Sequence, residues 1–435
     1  MRIKIAKCKG NIAKISYIFI VLFILISDDT VLFGTNANTV AIQFKYVFIV
    51  GATATLSLRY LLTIGRIPKK TLVFIIIYSA MVLLSMVVNN DFRFGYFYKV
   101  LILLYAFNIV SIIPMNMFAL CYTSIMEWLA FFSLLGFFGK LLLPGLINHL
   151  PVIYNISGTK YYNAGFFVVP DHMYQGVVRN FGVFREPGVY QMYLNMALLL
   201  QLFVLKSNNF RRYIVYIAAV ISTLSTTGYI AVAIFVIALI INSEGLSTQK
   251  RILLILLLCM AFGILASTTT IFSLDSEDQY VSVFGKLTNS NQASTSARLA
   301  SITENARIAF EYPLFGVGLG KLDSLFSQYS FMTYGKVSTN TNTTMIQFAS
   351  HGILFGGIWC YANLMFCKKL SHKYWWIAVC ILVILYVGEN LTFSGFSNLV
   401  LAYGISHFYY DTKEITNAKS AVGNQYSKSF SRNRI

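Results

Sequence analysis

A chain of 435 residues that is 57% hydrophobic and 11% charged is not a soluble protein, for which about 25% charged residues is usual. Thirty-six Phe and 28 Tyr exclude disorder, and 7 Pro with 28 Gly exclude a collagenous or low-complexity polymer. The net charge of +18 falls in a chain of mean hydropathy +0.66, so its placement reports membrane topology before any nucleic-acid partner.

Crossing the roughly 30 Å apolar core of a bilayer takes about 20 residues. The candidate stretches are 13–33, 44–64, 71–88, 97–113, 118–143, 189–206, 213–226, 228–243, 252–271, 344–367, 374–392 and 394–410. The expected fold is therefore an all-α polytopic membrane protein of about twelve transmembrane helices. Two long extracytoplasmic loops interrupt it, the later one partly helical. The first span follows Arg2, Lys4, Lys7, Lys9 and Lys14 as a secretory n-region would, but Asp28 and Asp29 stand where a small-residue cleavage site belongs. It reads as an uncleaved helix. The seventh and eighth spans are short and separated only by Thr226-Thr227-Gly228, which suggests a shallow hairpin.

With the amino terminus inside, basic residues fall at alternate connections: Arg66, Lys69 and Lys70; Lys206, Arg211 and Arg212; Lys250 and Arg251; Lys368, Lys369 and Lys373; then the tail from Lys413 to Arg434. This positive-inside pattern places both termini in the cytoplasm. The organisation read from it is a polytopic domain over 1–410, with outer loops 144–188 and 272–343, and a cytoplasmic tail over 411–435. The 6 Cys are scattered, so neither a disulfide framework nor a metal site follows.

Loops of such length are usually functional or disordered, and these are too aromatic for disorder, with Tyr161, Tyr162, Phe166, Phe167, Tyr174, Phe181 and Phe184 in the first and Phe284, Phe310, Tyr312, Phe315, Phe326 and Tyr329 in the second. The first loop ends Arg179-Asn-Phe-Gly182-Val-Phe-Arg185-Glu186-Pro187-Gly188 and runs directly into the sixth span. Pro187 suits a first helical position. Arg185 then stands beside an outward helix amino terminus, where free N–H groups and the macrodipole attract an anion such as phosphate. The plainer alternative pairs Arg185 with Glu186 or with lipid head groups.

In the second loop, residues 297–312 have helical spacing, with Leu299, Ile302, Ala306, Ala309 and Phe310 as the apolar face. Arg307 has Glu304 and Glu311 at ion-pairing distance along the helix. Arg298 has no such neighbour, which leaves its guanidinium fork for a bidentate oxyanion. The glycine series Gly316, Gly318 and Gly320 follows no strand, so it reads as a tight turn that lets backbone approach a ligand or another helix rather than as a nucleotide loop. Asp275, Glu277 and Asp278 read as a solvated loop, with a divalent-ion site the alternative. None of the 5 His has metal-ligand spacing; His351 lies inside the tenth span, about 13 Å from Asn342 by helical rise. Glu127 and Glu389, both within spans, are open to structural or functional readings.

The ordered series Arg179-x-x-Gly182-x-x-Arg185-Glu-Pro-Gly188, then Arg298 with Pro313-Leu-Phe-Gly-Val-Gly-Leu-Gly320, then Asn342-Thr-Thr-Met-Ile-Gln-Phe-Ala-Ser-His-Gly352 resembles the O-antigen ligase and polysaccharide polymerase superfamily of bacterial cytoplasmic membranes. The resemblance implies a glycosyltransferase acting outside the membrane on glycans linked to undecaprenyl pyrophosphate, without cofactor or metal. Of its members, a Wzy-type polymerase joining O-antigen, capsule or exopolysaccharide repeat units is the first reading. A ligase using a non-carrier acceptor is the alternative, and a transporter of a different class, a lipid-linked glycan flippase, is a third. By resemblance Arg298, Arg185 and Arg179 are catalytic, and Glu186, Arg307, Gly316, Gly318 and Asn342 are substrate-binding. The implied partners are the lipid-linked glycan, the bilayer, and a flippase and chain-length regulator of the same pathway. Thr341 stands where ligases carry a histidine before the Asn of the late motif. A pyrophosphate leaving group develops negative charge that arginines and helix termini can stabilise without metal.

Overall fold

The computed structural model describes residues 18, 20–22, 24–26, 28–63, 67–171, 178–207, 209–242, 247, 249, 250, 252–254, 293–335 and 339–406. Residues 255–271 of the ninth span, the acidic cluster at 275–278, His172, Tyr174, Phe284, His407 and the tail at 411–435 lie outside them.

The protein is a mostly helical polytopic membrane protein. Its helices are α1 (Thr39–Thr63), α2 (Lys69–Val88), α3 (Phe94–Ile112), α4 (Met115–Leu142), α5 (Pro187–Leu199), α6 (Phe210–Ser222), α7 (Thr226–Asn242), α8 (Ala293–Glu311), α9 (Gly318–Tyr334), α10 (Thr343–His351), α11 (Ile353–Leu370), α12 (Trp375–Gly388) and α13 (Gly395–Ile405). Among the described residues α1 to α4 are long and apolar enough to cross a bilayer, and α7, α12 and α13 are shorter apolar helices. One face of α4 leaves Trp128, Phe131, Leu135 and Phe138 exposed, and α2 does the same with Val73, Ile76, Leu84 and Val87. Such faces belong in lipid, where a helix satisfies its own backbone hydrogen bonds.

At the centre is α5, every residue of which is buried. It packs on α4, α6 and α7, while α13 packs on α3 and α11. The interior of α5 is not wholly apolar, since Asn195 Nδ2 donates to the carbonyl and side-chain oxygens of Gln191, both at 2.9 Å. Past Leu199 the helix widens into a π-helical turn, Leu200–Val204. Glu127 is bound by Arg212 Nε at 2.7 Å, an ion pair between α4 and α6 that accounts for this intramembrane carboxylate structurally.

Several expected boundaries shift. The tenth span is two helices, because Gly352, at φ 92°, breaks the chain between α10 and α11. Asn342 caps α10, its side-chain oxygen accepting from the Met345 N–H at 3.0 Å. The hairpin break falls at 223–225, with Leu224 at φ 50°, so Thr226 to Gly228 open α7 instead. Glu389 lies past the end of α12, in its connection to α13. The first long loop holds a three-stranded antiparallel sheet that the all-α expectation lacked: β1 (Val152–Tyr154), β2 (Lys160–Asn163) and β3 (Val168–Pro170). Val152 faces Tyr162, and Tyr162 faces Val169.

Of the apolar face expected for α8, Ala309 is buried and Ala306 half-buried, but its three large members are overturned. Leu299, Ile302 and Phe310 are exposed, the last at 76%, whereas Ala297, Ala300, Ser301, Glu304, Asn305 and Ile308 are buried. Asn305 Nδ2 donates to the Ser301 carbonyl at 2.7 Å and to Asn340 Oδ1 at 2.8 Å, so hydrogen bonds and small side chains seat the helix against its neighbours.

Candidate functional site

The first described turn and the end of the first long loop are sewn together. Arg185 N–H donates to the Asp29 carbonyl at 2.9 Å, Val31 N–H to the Val183 carbonyl at 3.0 Å, and Val168 N–H of β3 to the Gly182 carbonyl at 2.6 Å. Gly182 has φ 57°, and a Cβ there would lie 3.0 Å from the Tyr190 ring, so a side chain at this bend is strained on both counts. This fixes Arg185 immediately before α5, which begins at Pro187 as the sequence indicates.

Three helices begin around residues 388–391. At the start of α5, a Cβ on Gly188 would fall 1.6 Å from Glu389 Oε1, so the carboxyl lies on that first turn where only glycine leaves room. At the start of α7, Thr227 abuts Gly388, 3.2 Å from a Cβ built there. At the start of α10, the Thr343 hydroxyl donates to the Glu389 carbonyl and accepts from Leu391 N–H at 2.9 Å. Helix amino termini carry partial positive charge. Their convergence makes this end of α12 favourable for anions, and the acidic side chain placed there is that of Glu389.

Arg185 and Arg298 reach the same point. Arg185 Nη2 donates to the Asn390 carbonyl at 2.8 Å, and Arg298 Nη1, from α8, donates to Thr226 Oγ1 at 3.1 Å. Glu389 feels the charge of each and is hydrogen-bonded to Glu186. Burial, then Glu186, hold the Glu389 carboxyl above the ordinary carboxylate range, although Arg185 and Arg298 pull it down. Burial opposes the charge of Arg185 as well, but Asp29, Glu186, Glu389 and Asp28 outweigh it and leave its pKa raised. For Arg298 burial wins over Glu389, and its pKa is lowered. Arg185 Nε is enclosed and has no hydrogen-bond partner, a donor held in reserve.

The other residues singled out from the sequence stand elsewhere. Arg179 Nε and Nη2 donate to the Thr223 and Leu224 carbonyls at 2.9 and 3.3 Å, clamping the turn that presents Thr226. Arg307 is exposed and pairs with Glu311 at 3.0 Å, its guanidinium over the Tyr329 ring. Gly316 and Gly318 pack against protein: Val317 N–H donates to the Ala349 carbonyl at 3.0 Å, and a Cβ on Gly318 would meet Tyr96 Oη at 2.6 Å. That is the helix-approach alternative of the tight-turn reading. Asn342 is buried as a cap next to Thr343, at the rim of the cluster. His351 is fully buried between Tyr96 and Phe355, with neither ring nitrogen bonded. Thr341 Oγ1 donates to the Val387 carbonyl at 3.4 Å.

The aromatic side chains expected to stack on sugars divide. Tyr161, Tyr162, Phe184 and Phe326 are core residues, Phe184 stacking on Tyr190 and Tyr193, whereas Phe166, Phe310 and Tyr312 are exposed. Thr226, Thr343 and Asp29 were not singled out as site residues. Asp29 carried a signal, an acid at the outer end of a hydrophobic span; it accepts from Tyr193 Oη at 2.7 Å and from Ser394. Among the described residues no group of three or more His, Cys, Asp or Glu has metal-binding geometry.

Residues 213–354 match the Wzy_C family model, described as O-antigen ligase. The matched segment runs from α6 into the first turn of α11 and contains Thr226, Arg298, Gly316 and Asn342; Arg185, Glu186 and Glu389 lie outside it. No curated protein matches the chain.

Proposed function

We propose, from the match of residues 213–354 to the O-antigen ligase family model, that this membrane protein is a glycan-transferring enzyme that polymerises oligosaccharide repeat units carried on undecaprenyl pyrophosphate, at the outer face of a bacterial cytoplasmic membrane. The observation that carries the reading is that Arg185 and Arg298, far apart in sequence, meet at one carboxyl where three helices begin. A pyrophosphate entering there exchanges hydrogen bonds with both guanidinium groups. The charge that develops on the leaving oxygen is stabilised by donors already in place. Arg179 serves by holding the 223–225 turn, and through it Thr226 against Arg298. Asn342 fixes the start of α10 beside Glu389.

The domain plan proposed is the polytopic body over 1–410 and a cytoplasmic tail over 411–435, both termini inside. The bilayer is the immediate partner, with a flippase delivering donor and a regulator setting chain length. The family's description favours a second reading, a ligase that hands the glycan to a non-carrier acceptor. Purified protein in lipid nanodiscs, given synthetic polyprenyl-pyrophosphate repeat units alone, separates the two. A ladder of lengths is expected; transfer seen only after a non-carrier acceptor is added assigns a ligase, and transport without transfer assigns a flippase.

Two further outcomes are expected. Activity persists in excess chelator, because charge stabilisation is assigned to arginine; strict dependence on added divalent ion moves it to Asp275, Glu277 and Asp278. Cysteines placed at Phe310 and at Lys250 label differently, the first with an impermeant thiol reagent in outer-permeabilised cells, the second only after lysis. Equal labelling of both overturns the orientation.

A further inference from the structure

We propose that the carboxyl pair Glu186–Glu389 is the proton acceptor of the transfer: Glu186 takes the proton of the acceptor hydroxyl, and Glu389 positions it. This rests on the donor reading above, because the pair stands between the two arginines assigned to the pyrophosphate.

Burial and the neighbouring Glu186, to which it is hydrogen-bonded, hold the Glu389 carboxyl above the ordinary carboxylate range, so the buried member favours its protonated form. The members differ in access. Glu389 is 8% exposed, pressed against Gly188 and held through its carbonyl by Thr343. Glu186 is exposed, fixed between Arg185 and Pro187 at the cap of α5. Glu186 is therefore the member that an acceptor sugar can reach. In the step, a lone pair of the acceptor oxygen bonds the anomeric carbon. The bond from that carbon to the pyrophosphate oxygen breaks, its electron pair leaving with the pyrophosphate, and the hydroxyl proton passes to Glu186. Water removes it when product leaves.

Among the described residues, other candidate bases are occupied or misplaced. Asp29 is bound by Tyr193 and Ser394, Asp171 by Tyr162 and Lys160, Asp91 by Tyr96 and the Gly320 N–H, and Glu311 by Arg307 and Tyr329. Thr341 is a hydroxyl tied to Ser301 and Val387, and His351 is at the far end of α10, enclosed by aromatic rings. The charged and titratable groups facing the pair are Arg185 on its own loop, Arg298 from α8, Tyr161 from β2, and Asp28 and Asp29 from the first turn, which act through Arg185; Thr343 from α10 and Thr227 from α7 carry no charge.

The test uses the full chain in nanodiscs, with synthetic polyprenyl-pyrophosphate repeat units as probe. Glu186→Gln is expected to lower kcat about 100-fold or more, the usual scale for losing a general base, with donor binding within a few-fold of the parent. Glu186→Asp recovers part of the loss. In the parent, donor KM rises as pH climbs through the range where Glu389 gives up its proton, because the added negative charge then repels pyrophosphate. Glu389→Gln has no such proton, so that alkaline rise disappears, which loss of packing alone does not produce. If the parent turns over donor and Glu186→Gln keeps kcat within tenfold, or loses donor binding as steeply as kcat, the carboxyl assignment is overturned and the donor reading stands. If the parent transfers nothing from this donor to any acceptor, the donor reading itself falls, and the assignment with it.

Discussion

Arg298→Ala is expected to abolish polymer while the protein still folds and inserts. Arg298 enters the cluster from α8 through one hydrogen bond to Thr226 and its charge on Glu389, so truncation removes little packing. It does remove a preorganised donor at the point where leaving-group charge develops. Losing such a donor costs about 10²- to 10³-fold in turnover. Water does not replace it, because water must reorient as charge appears. Arg298→Lys restores only part of the rate, since a point charge on a flexible stem cannot hold two oxygens in a fork. The measurement is polymer length and turnover at matched membrane protein. Full-length polymer from the Ala variant at that level removes Arg298 from the chemistry.

Gly316→Val is expected to fail for a different reason, before any substrate is met. Gly316 has φ 64°, and a Cβ built on it would lie 2.4 Å from the Ser350 carbonyl carbon and 2.5 Å from the Ala349 oxygen. Those atoms are backbone of α10 and cannot swing aside. The left-handed conformation costs a residue with a Cβ roughly 1–2 kcal/mol, and overpacking adds about 1–3 kcal/mol. Against a typical stability of about 5–15 kcal/mol this is a large fraction. The folded fraction recovered from membranes should fall several-fold. Donor affinity per folded molecule should be unchanged, because this turn binds α10. Normal yield with weakened donor binding would return Gly316 to the substrate site.

Much of the frame was legible because each signal was local. Hydrophobic runs located α1 to α4 within a few residues, since a span must be long and apolar wherever it packs. Pro187 announced the start of α5, because a missing N–H and a fixed φ suit that position whatever surrounds it. The Gly316 and Gly318 turn was recognisable for the same reason, glycine being the residue that tolerates positive φ. The burial of α8 was not legible. Its periodicity was real, but the periodicity is silent on whether the apolar stripe meets the core or the outside, and Leu299, Ile302 and Phe310 face outward.

The sequence by itself determined a polytopic membrane chain, two long loops, Arg298 as a residue without a local partner and Arg307 as one with a partner four residues on, because composition, charge placement and spacing along one helix are properties of neighbouring residues. Only the tertiary structure decided which arginines meet. Arg185 and Arg298 are joined through Glu389, from a third region of the chain, while Arg179 turns to the Thr223 and Leu224 carbonyls. The physical reason is that the anion-favouring end of the site is made by three helices beginning in one place, and no one-dimensional pattern records where helix ends converge.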